Sequence, residues 1–108
     1  MTGLSINRRT VGGSTVLTLA GDLDLETAVE FREFLDELPL VADERVVIDM
    51  AGVGFCDSSG IAALFAARNR ALAAGAEFAL AAVPHHISRT LRLIGLESVF
   101  VLLPTLED

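Results

Sequence analysis

The sequence contains no lysine; all eight of its cationic side chains are arginines. That absence excludes a P-loop lysine cradling phosphates, an amine that forms Schiff bases and the lysine of a protein kinase. It also speaks against a receiver domain phosphorylated on aspartate, which is expected to carry a lysine beside that aspartate. Cysteine is almost missing as well. Cys56 stands alone, so no intrachain disulfide can form, nothing points to an oxidising compartment, and cytoplasm is the expected location. No apolar run approaches the roughly 20 residues needed to span a bilayer, and Met1 to Arg9 lacks the apolar core of a signal peptide. Positive charge is scarce overall. A net charge of -7 disfavours nucleic acid and anionic membrane surfaces, both of which select for basic patches.

What is present is a chain of 108 residues, 52% hydrophobic and 21% charged, the composition of a folded domain rather than a disordered one. The length suffices for one core and not for two, so residues 1–108 read as a single domain. Leu4 to Arg9 is a short strand candidate ended by Gly12-Gly13, and Ser14 to Ala20 is a β-branched strand between glycines. Asp24 can cap a helix that carries Glu26 in its first turn and repeats Ala28, Phe31, Leu35 and Leu38 before Pro39. Arg45 to Met50 reads as a buried strand, and Ala51 to Cys56 as a loop. A second helix opens at Asp57 and runs to about Ala74, with Gly75 as its stop. Glu77 to Val83 is a strand, Pro84 starts a third helix that Gly95 ends, and Ser98 to Leu103 is a last strand. The order β-β-α-β-α-β-α-β implies an α/β fold. Its sheet of four or five strands would be mixed but mostly parallel, with an antiparallel edge from the first strands and three helices, or four if one follows the last strand.

Asp57-Ser58-Ser59-Gly60 is the local cluster with chemistry in it. Helix capping alone accounts for most such sequences, since Asp and Ser satisfy the free N–H groups of a first turn. Two features go beyond capping. Gly60 inside the first turn costs about 1 kcal/mol relative to alanine, and its missing side chain would let a partner or a nucleotide approach the backbone. Two serines are also more than capping needs. A phosphate on Ser58 would sit at a helix N-terminus, where amides and dipole favour anions. Asp57 is adjacent, and Asp22 and Asp24 come close if both loops share one sheet edge. Some 1.5 to 2 added negative charges (roughly) would then change the local potential while leaving the helix intact.

Around these residues the chain resembles the anti-sigma factor antagonists of the STAS family. Gly21-Asp22-Leu23-Asp24 resembles the family's G-x-L-D segment, and Val47-Ile48-Asp49-Met50 the strand before its site. Phe55-Cys56-Asp57-Ser58-Ser59-Gly60-Ile61 resembles its D-[ST]-[ST]-G loop, and Leu91 to Phe100, with Gly95-Leu96, its third helix and last strand. The resemblance covers nearly the whole chain in the family's order. It implies a STAS-like fold and a partner-switching module that is not itself an enzyme and needs no cofactor or metal. The unphosphorylated form binds an anti-sigma factor and frees a sigma factor. The anti-sigma factor is an ATP-dependent serine kinase that phosphorylates the first loop serine, here Ser58, and a metal-dependent serine phosphatase resets the switch. Asp57, Ser59 and Gly60 would shape the docking surface, with Asp22 and Asp24 as further kinase contacts. The chain departs from the family in two places. Pro104 to Asp108 looks like a helix start with no helix behind it, which reads as a truncation or a short variant. Arg68 falls on the helical face of Ile61, Leu64, Phe65 and Leu72, where its stem is expected to pack while its head snorkels to water; contact with an acidic group of a partner is the other reading.

Other residues have ordinary structural roles to set beside any functional one. His85 and His86 beside Pro84 are expected to be exposed first-turn residues rather than metal ligands, because adjacent helical positions diverge. Cys56 is expected to be buried, with Asp57 working against a thiolate. Ala62, Ala63 and Ala66 offer a smooth helix side for a partner, a reading balanced by alanine's helix propensity. A regulatory subunit of a membrane transporter's ATPase, with Ser58 never modified, is the alternative function. A small hydrolase using Ser58 is remote, for the G-x-S-x-G elbow is missing.

Overall fold

The computed structural model describes residues 3–105. Along them run β1 (Leu4–Val11), β2 (Ser14–Leu23), α1 (Leu25–Asp36), β3 (Arg45–Cys56), α2 (Ser58–Ala73), β4 (Glu77–Ala81), α3 (His85–Leu93) and β5 (Leu102–Leu103). The strands form one sheet in the order β1-β2-β3-β4-β5. β1 pairs antiparallel with β2 through a two-residue connection in which Gly12 takes φ +59°, a conformation that suits glycine and a tight hairpin. All later pairings are parallel. The fold is therefore the mixed, mostly parallel α/β arrangement that the element order implied, with five strands and three helices among the described residues. Leu106, Glu107 and Asp108, where a fourth helix was in question, lie outside them.

Each parallel strand is reached through a helix. Successive crossovers of one hand along a sheet ordered as in the sequence lay their helices on the same face. A single apolar cluster bears this out: it unites Leu17, Leu19, Ile48, Met50 and Leu80 of the sheet with Phe31 of α1, Leu64 of α2 and Leu91 of α3. Burying each of these large side chains contributes about 1.5–3 kcal/mol. The opposite face holds a smaller cluster of Val16, Val47 and Ala81, with Leu103 against it.

Several element boundaries differ from the sequence expectation. β2 continues through Leu23 and β3 through Cys56, so the stretch expected as a loop, Ala51 to Cys56, is paired strand. Its glycines lower strand propensity, but at Gly52 β2 passes close enough to leave only tight room for a side chain. A Cβ at Gly52 would come 3.0 Å from the Leu19 carbonyl oxygen, where the β2–β3 register shifts between Thr18 and Ala20. β4 stops at Ala81 rather than Val83, because Ala82 turns to φ +52°. β5 is only Leu102–Leu103, since a turn closed by Val99 N–H donating to the Leu96 carbonyl (3.1 Å) keeps the preceding residues off the ladder. In α2 the buried stripe is Gly60, Ile61, Ala63, Leu64, Ala67 and Ala71. Leu72, expected inside, is half exposed; the alanines let α2 lie close against its neighbours, and the buried face turns toward them.

The ends of α1 and α2 are tied by one side chain. α1 carries no basic residue in its last turn, so its C-terminal carbonyls lack a local cation. Arg70 of α2 supplies one: its Nη2 donates to the Asp36 carbonyl at 3.2 Å and to the Leu38 carbonyl at 3.0 Å. Its Nε is buried without a partner among the described residues, which offsets part of the gain. Arg70→Met, which keeps the stem and removes both bonds, is expected to cost about 1 kcal/mol. In urea unfolding the midpoint should fall with the slope unchanged.

Candidate functional site

The parallel pairing of β2 and β3 runs to their last residues, with Asp22 opposite Phe55 and Leu23 opposite Cys56. The Asp57 N–H then donates to the Leu23 carbonyl at 3.2 Å. Both strands thus end together and both following helices begin there, which places Asp22, Asp24, Asp57 and Ser58 on one edge of the sheet. The proximity inferred from the sequence is present in the structure.

Each helix is capped by an aspartate. Asp24 is the N-cap of α1, and its Oδ1 accepts from the Glu26 and Thr27 N–H groups, each at 3.1 Å. The Thr27 hydroxyl accepts from the Asp24 N–H at 2.8 Å and donates to the Asp22 carbonyl at 2.7 Å, completing a reciprocal capping box. Backbone donation from Thr27, together with its hydroxyl and the Glu26 N–H, holds the Asp24 carboxyl below its ordinary value of 3.8. Asp57 caps α2, its Oδ1 accepting from the Gly60 N–H at 3.1 Å.

With Asp57 as the cap, the two serines are left free of that task. Ser58, the first residue of α2, is exposed and Ser59 is half-buried. Neither hydroxyl makes a hydrogen bond among the described residues. Gly60 is buried, and its role differs from the expected one. A Cβ there would stand 2.5 Å from the Leu23 carbonyl oxygen and 2.8 Å from both Cys56 Sγ and Leu23 Cγ. The missing side chain makes room for the chain's own β2 and β3, not for an approaching partner. Cys56 is half-buried beneath this turn. Burial, reinforced by the Asp57 charge, pushes its thiol up to about 11, so it is neutral near pH 7 and a poor nucleophile.

The three alanines separate in space. Ala62 is exposed and Ala66 half-buried, but Ala63 is wholly enclosed in the core and cannot form part of an outer surface. Three features were not read from the sequence. Thr27 completes the capping box through its hydroxyl, a role its β-branched side chain does not advertise. Phe55, named only as part of the motif, lies in strand β3 beside Asp22 and is half exposed. His86 is exposed as expected, and its Nε2 lies 3.1 Å from the Gly54 carbonyl; no local pattern signals that contact between α3 and the end of β3. Among the described residues no group of His, Cys, Asp and Glu is arranged to hold a metal.

Two outcomes follow from this geometry. Gly60→Ala gains about 1 kcal/mol in helix propensity, but the Leu23 carbonyl is backbone and cannot swing aside, so net destabilisation of about 1–3 kcal/mol is expected. Adding Cys56→Ala should restore only part of that loss in chemical denaturation, since it relieves the sulfur contact alone. For Asp24 the folded pKa lies below the unfolded one. Its contribution is therefore present above the unfolded value, near 4, and is lost as pH falls through the folded value. The stability difference between wild type and Asp24→Ala, followed by denaturation across that range, should shrink toward acid.

Comparison with known proteins agrees with the geometry. The profile of a family described as "Mlab, STAS domain" matches residues 6–104. Anti-sigma-F factor antagonist RsfB of Mycobacterium tuberculosis is 32% identical over 96 residues, covering 89% of this chain and 78% of that protein. The crystal structure of an anti-sigma factor antagonist from Mycobacterium paratuberculosis superposes with a TM-score of 0.79 at 26% identity, covering 97% of this chain and 89% of the other. The murine anion transporter Slc26a9 contains a domain of the same shape, with a TM-score of 0.78 at 18% identity, covering 93% of this chain and 17% of the transporter; at that identity the likeness is one of fold alone. This chain belongs to the STAS-domain family of anti-sigma factor antagonists.

Proposed function

We propose that the chain is a partner switch: unphosphorylated, it binds an anti-sigma factor that is also a serine kinase and so releases a sigma factor, and phosphorylation of Ser58 ends that binding. The observation that carries this reading is the position of Ser58. It is exposed at the first residue of α2 with its hydroxyl uncommitted, beside a carboxylate that already caps the helix. A kinase can reach such a group, and modifying it removes nothing that holds the fold.

The docking surface on this reading comprises Asp22, Asp24, Asp57 and Ser59, with exposed Ala62 and half-buried Ala66 continuing it along α2. Gly60 contributes from below by letting the turn lie flat on β2. Phosphoserine adds about 1.5–2 negative charges next to three carboxylates, so a partner attracted to the unmodified edge meets a different potential. A metal-dependent serine phosphatase would reverse the change, and the module would act in the cytoplasm, where sigma factors work. The chain itself acts by binding rather than by catalysis.

The test uses paired affinity baits, Ser58→Ala and Ser58→Asp, in lysate from the native host. The expected result is an ATP-binding serine kinase retained by Ser58→Ala and reduced at least about tenfold with Ser58→Asp, a loss of the size seen when like charges meet in an interface. Both variants should unfold within about 0.5 kcal/mol of wild type, as surface substitutions do. Equal capture of a transporter ATPase by both baits would overturn the switch and identify a constitutive transporter subunit.

A further inference from the structure

At the end of the molecule away from Ser58, a groove opens between the last turns of α2 and the outer edge of β4. Its lining includes Arg68 and Leu72 of α2, Glu77 and Phe78 of β4, and Val99 and Val101 before β5. We propose that this groove is a second docking site, for an acidic peptide segment of a partner protein that carries an aliphatic side chain beside a carboxylate.

Three independent observations support it. β5 pairs with β4 only at Leu80 and Ala81, so the Glu77–Ala79 half of this edge has no strand beside it, and open strand edges receive extended chains. The walls are apolar and uncovered, Leu72 being 48% and Val101 55% exposed. Charge supplies the third. Arg68 has no ion pair among the described residues, its Nη1 reaching only the neighbouring Asn69 Oδ1 at 3.4 Å. Arg45, also in the lining, faces Glu77 at 3.8 Å, a separation that neutralises one charge and leaves Arg68 in excess. On a chain of net charge -7, a local positive excess between apolar walls selects an acidic segment that the rest of the surface repels.

The size of the groove indicates the kind of occupant. Its volume is about 260 Å³, below the roughly 300–1,000 Å³ usual for small-molecule pockets and suited to one or two side chains of a peptide. Leu72 lies fourteen residues along α2 from Ser58, hence roughly 20 Å away, beyond the Debye length of about 8 Å at physiological salt. Occupancy should therefore be indifferent to the charge state of Ser58, and this site stands whether or not the switch does.

A display library of random dodecapeptides, selected on the whole chain, tests the proposal. Enriched sequences should combine Asp or Glu with Leu, Ile or Val. A synthetic peptide of that kind should bind Arg68→Glu about tenfold more weakly than wild type. Arg68→Gln and Leu72→Ala should weaken it in the same direction, and Ser58→Asp should leave it unchanged. Thermal unfolding of each variant separates lost binding from lost folding, with the milder Arg68→Gln deciding if the reversal does not fold. The proposal is overturned if no acidic sequence is enriched, if the peptide binds the Arg68 variants undiminished, or if Ser58→Asp abolishes binding. Sedimentation showing self-association through this face, lost in Arg68→Gln, would make a second copy the occupant and equally overturn it.

Discussion

The arrangement of the site depends on how closely the first turn of α2 lies on the end of β2. The Leu23 carbonyl accepts the Asp57 N–H and at the same time stands 2.5 Å from where a side chain at position 60 would begin. Any Cβ would lift the turn, lengthen the bond to Asp57 and move the cap. With glycine in place, two parallel strands that end in register deliver two helices that start side by side. Asp22, Asp24, Asp57 and Ser58 then share one edge although more than thirty residues separate the first pair from the second.

Helix N-termini ordinarily attract anions, and those of α1 and α2 each already carry a capping aspartate of their own chain. The edge is therefore an acidic surface laid over two positive dipole ends. A chain with eight cationic against fifteen acidic side chains has a deficit of positive charge to neutralise it, and the His86 ring stands against the Gly54 carbonyl. Among the described residues the ion pairs, Arg45–Glu77 and Arg92–Glu97, do not involve the aspartates of this edge. The physical effect of modifying Ser58 would fall on whatever docks there rather than on the fold.

Much of this was legible in the chain itself, for identifiable reasons. Element order, the antiparallel edge, the Asp24 cap and the position of Ser58 all follow from local signals: β-branched runs between glycines, an aspartate before an apolar period, a proline or glycine at each end. What failed to read through was decided by neighbours distant in sequence. Gly52 and Gly60 look like a loop residue and an invitation to a partner, yet Gly60 is demanded by the backbone of β2 and Gly52 is crowded by it. Ala63 looks like surface on a smooth helix, yet its small size is what allows α2 to sit in the core. The short β5 and the displaced face of α2 depend likewise on packing that no window of residues contains. Glycine and alanine were misread most often because their sequence signal is weak and their structural meaning lies in what stands next to them.

The Arg70 bond between α2 and the end of α1 bears on how the acidic edge behaves as a whole. Helices α1 and α2 meet there at their N-termini and are fastened elsewhere by one guanidinium and a shared apolar seam. Such a frame has few ways to deform: tilting one helix drags the other. Asp24 at the start of α1, Asp22 at the end of β2 and Ser58 at the start of α2 are therefore held in one fixed relation to each other. On the proposed reading, a partner docking at this edge would meet the carboxylates and the serine as one fixed relief.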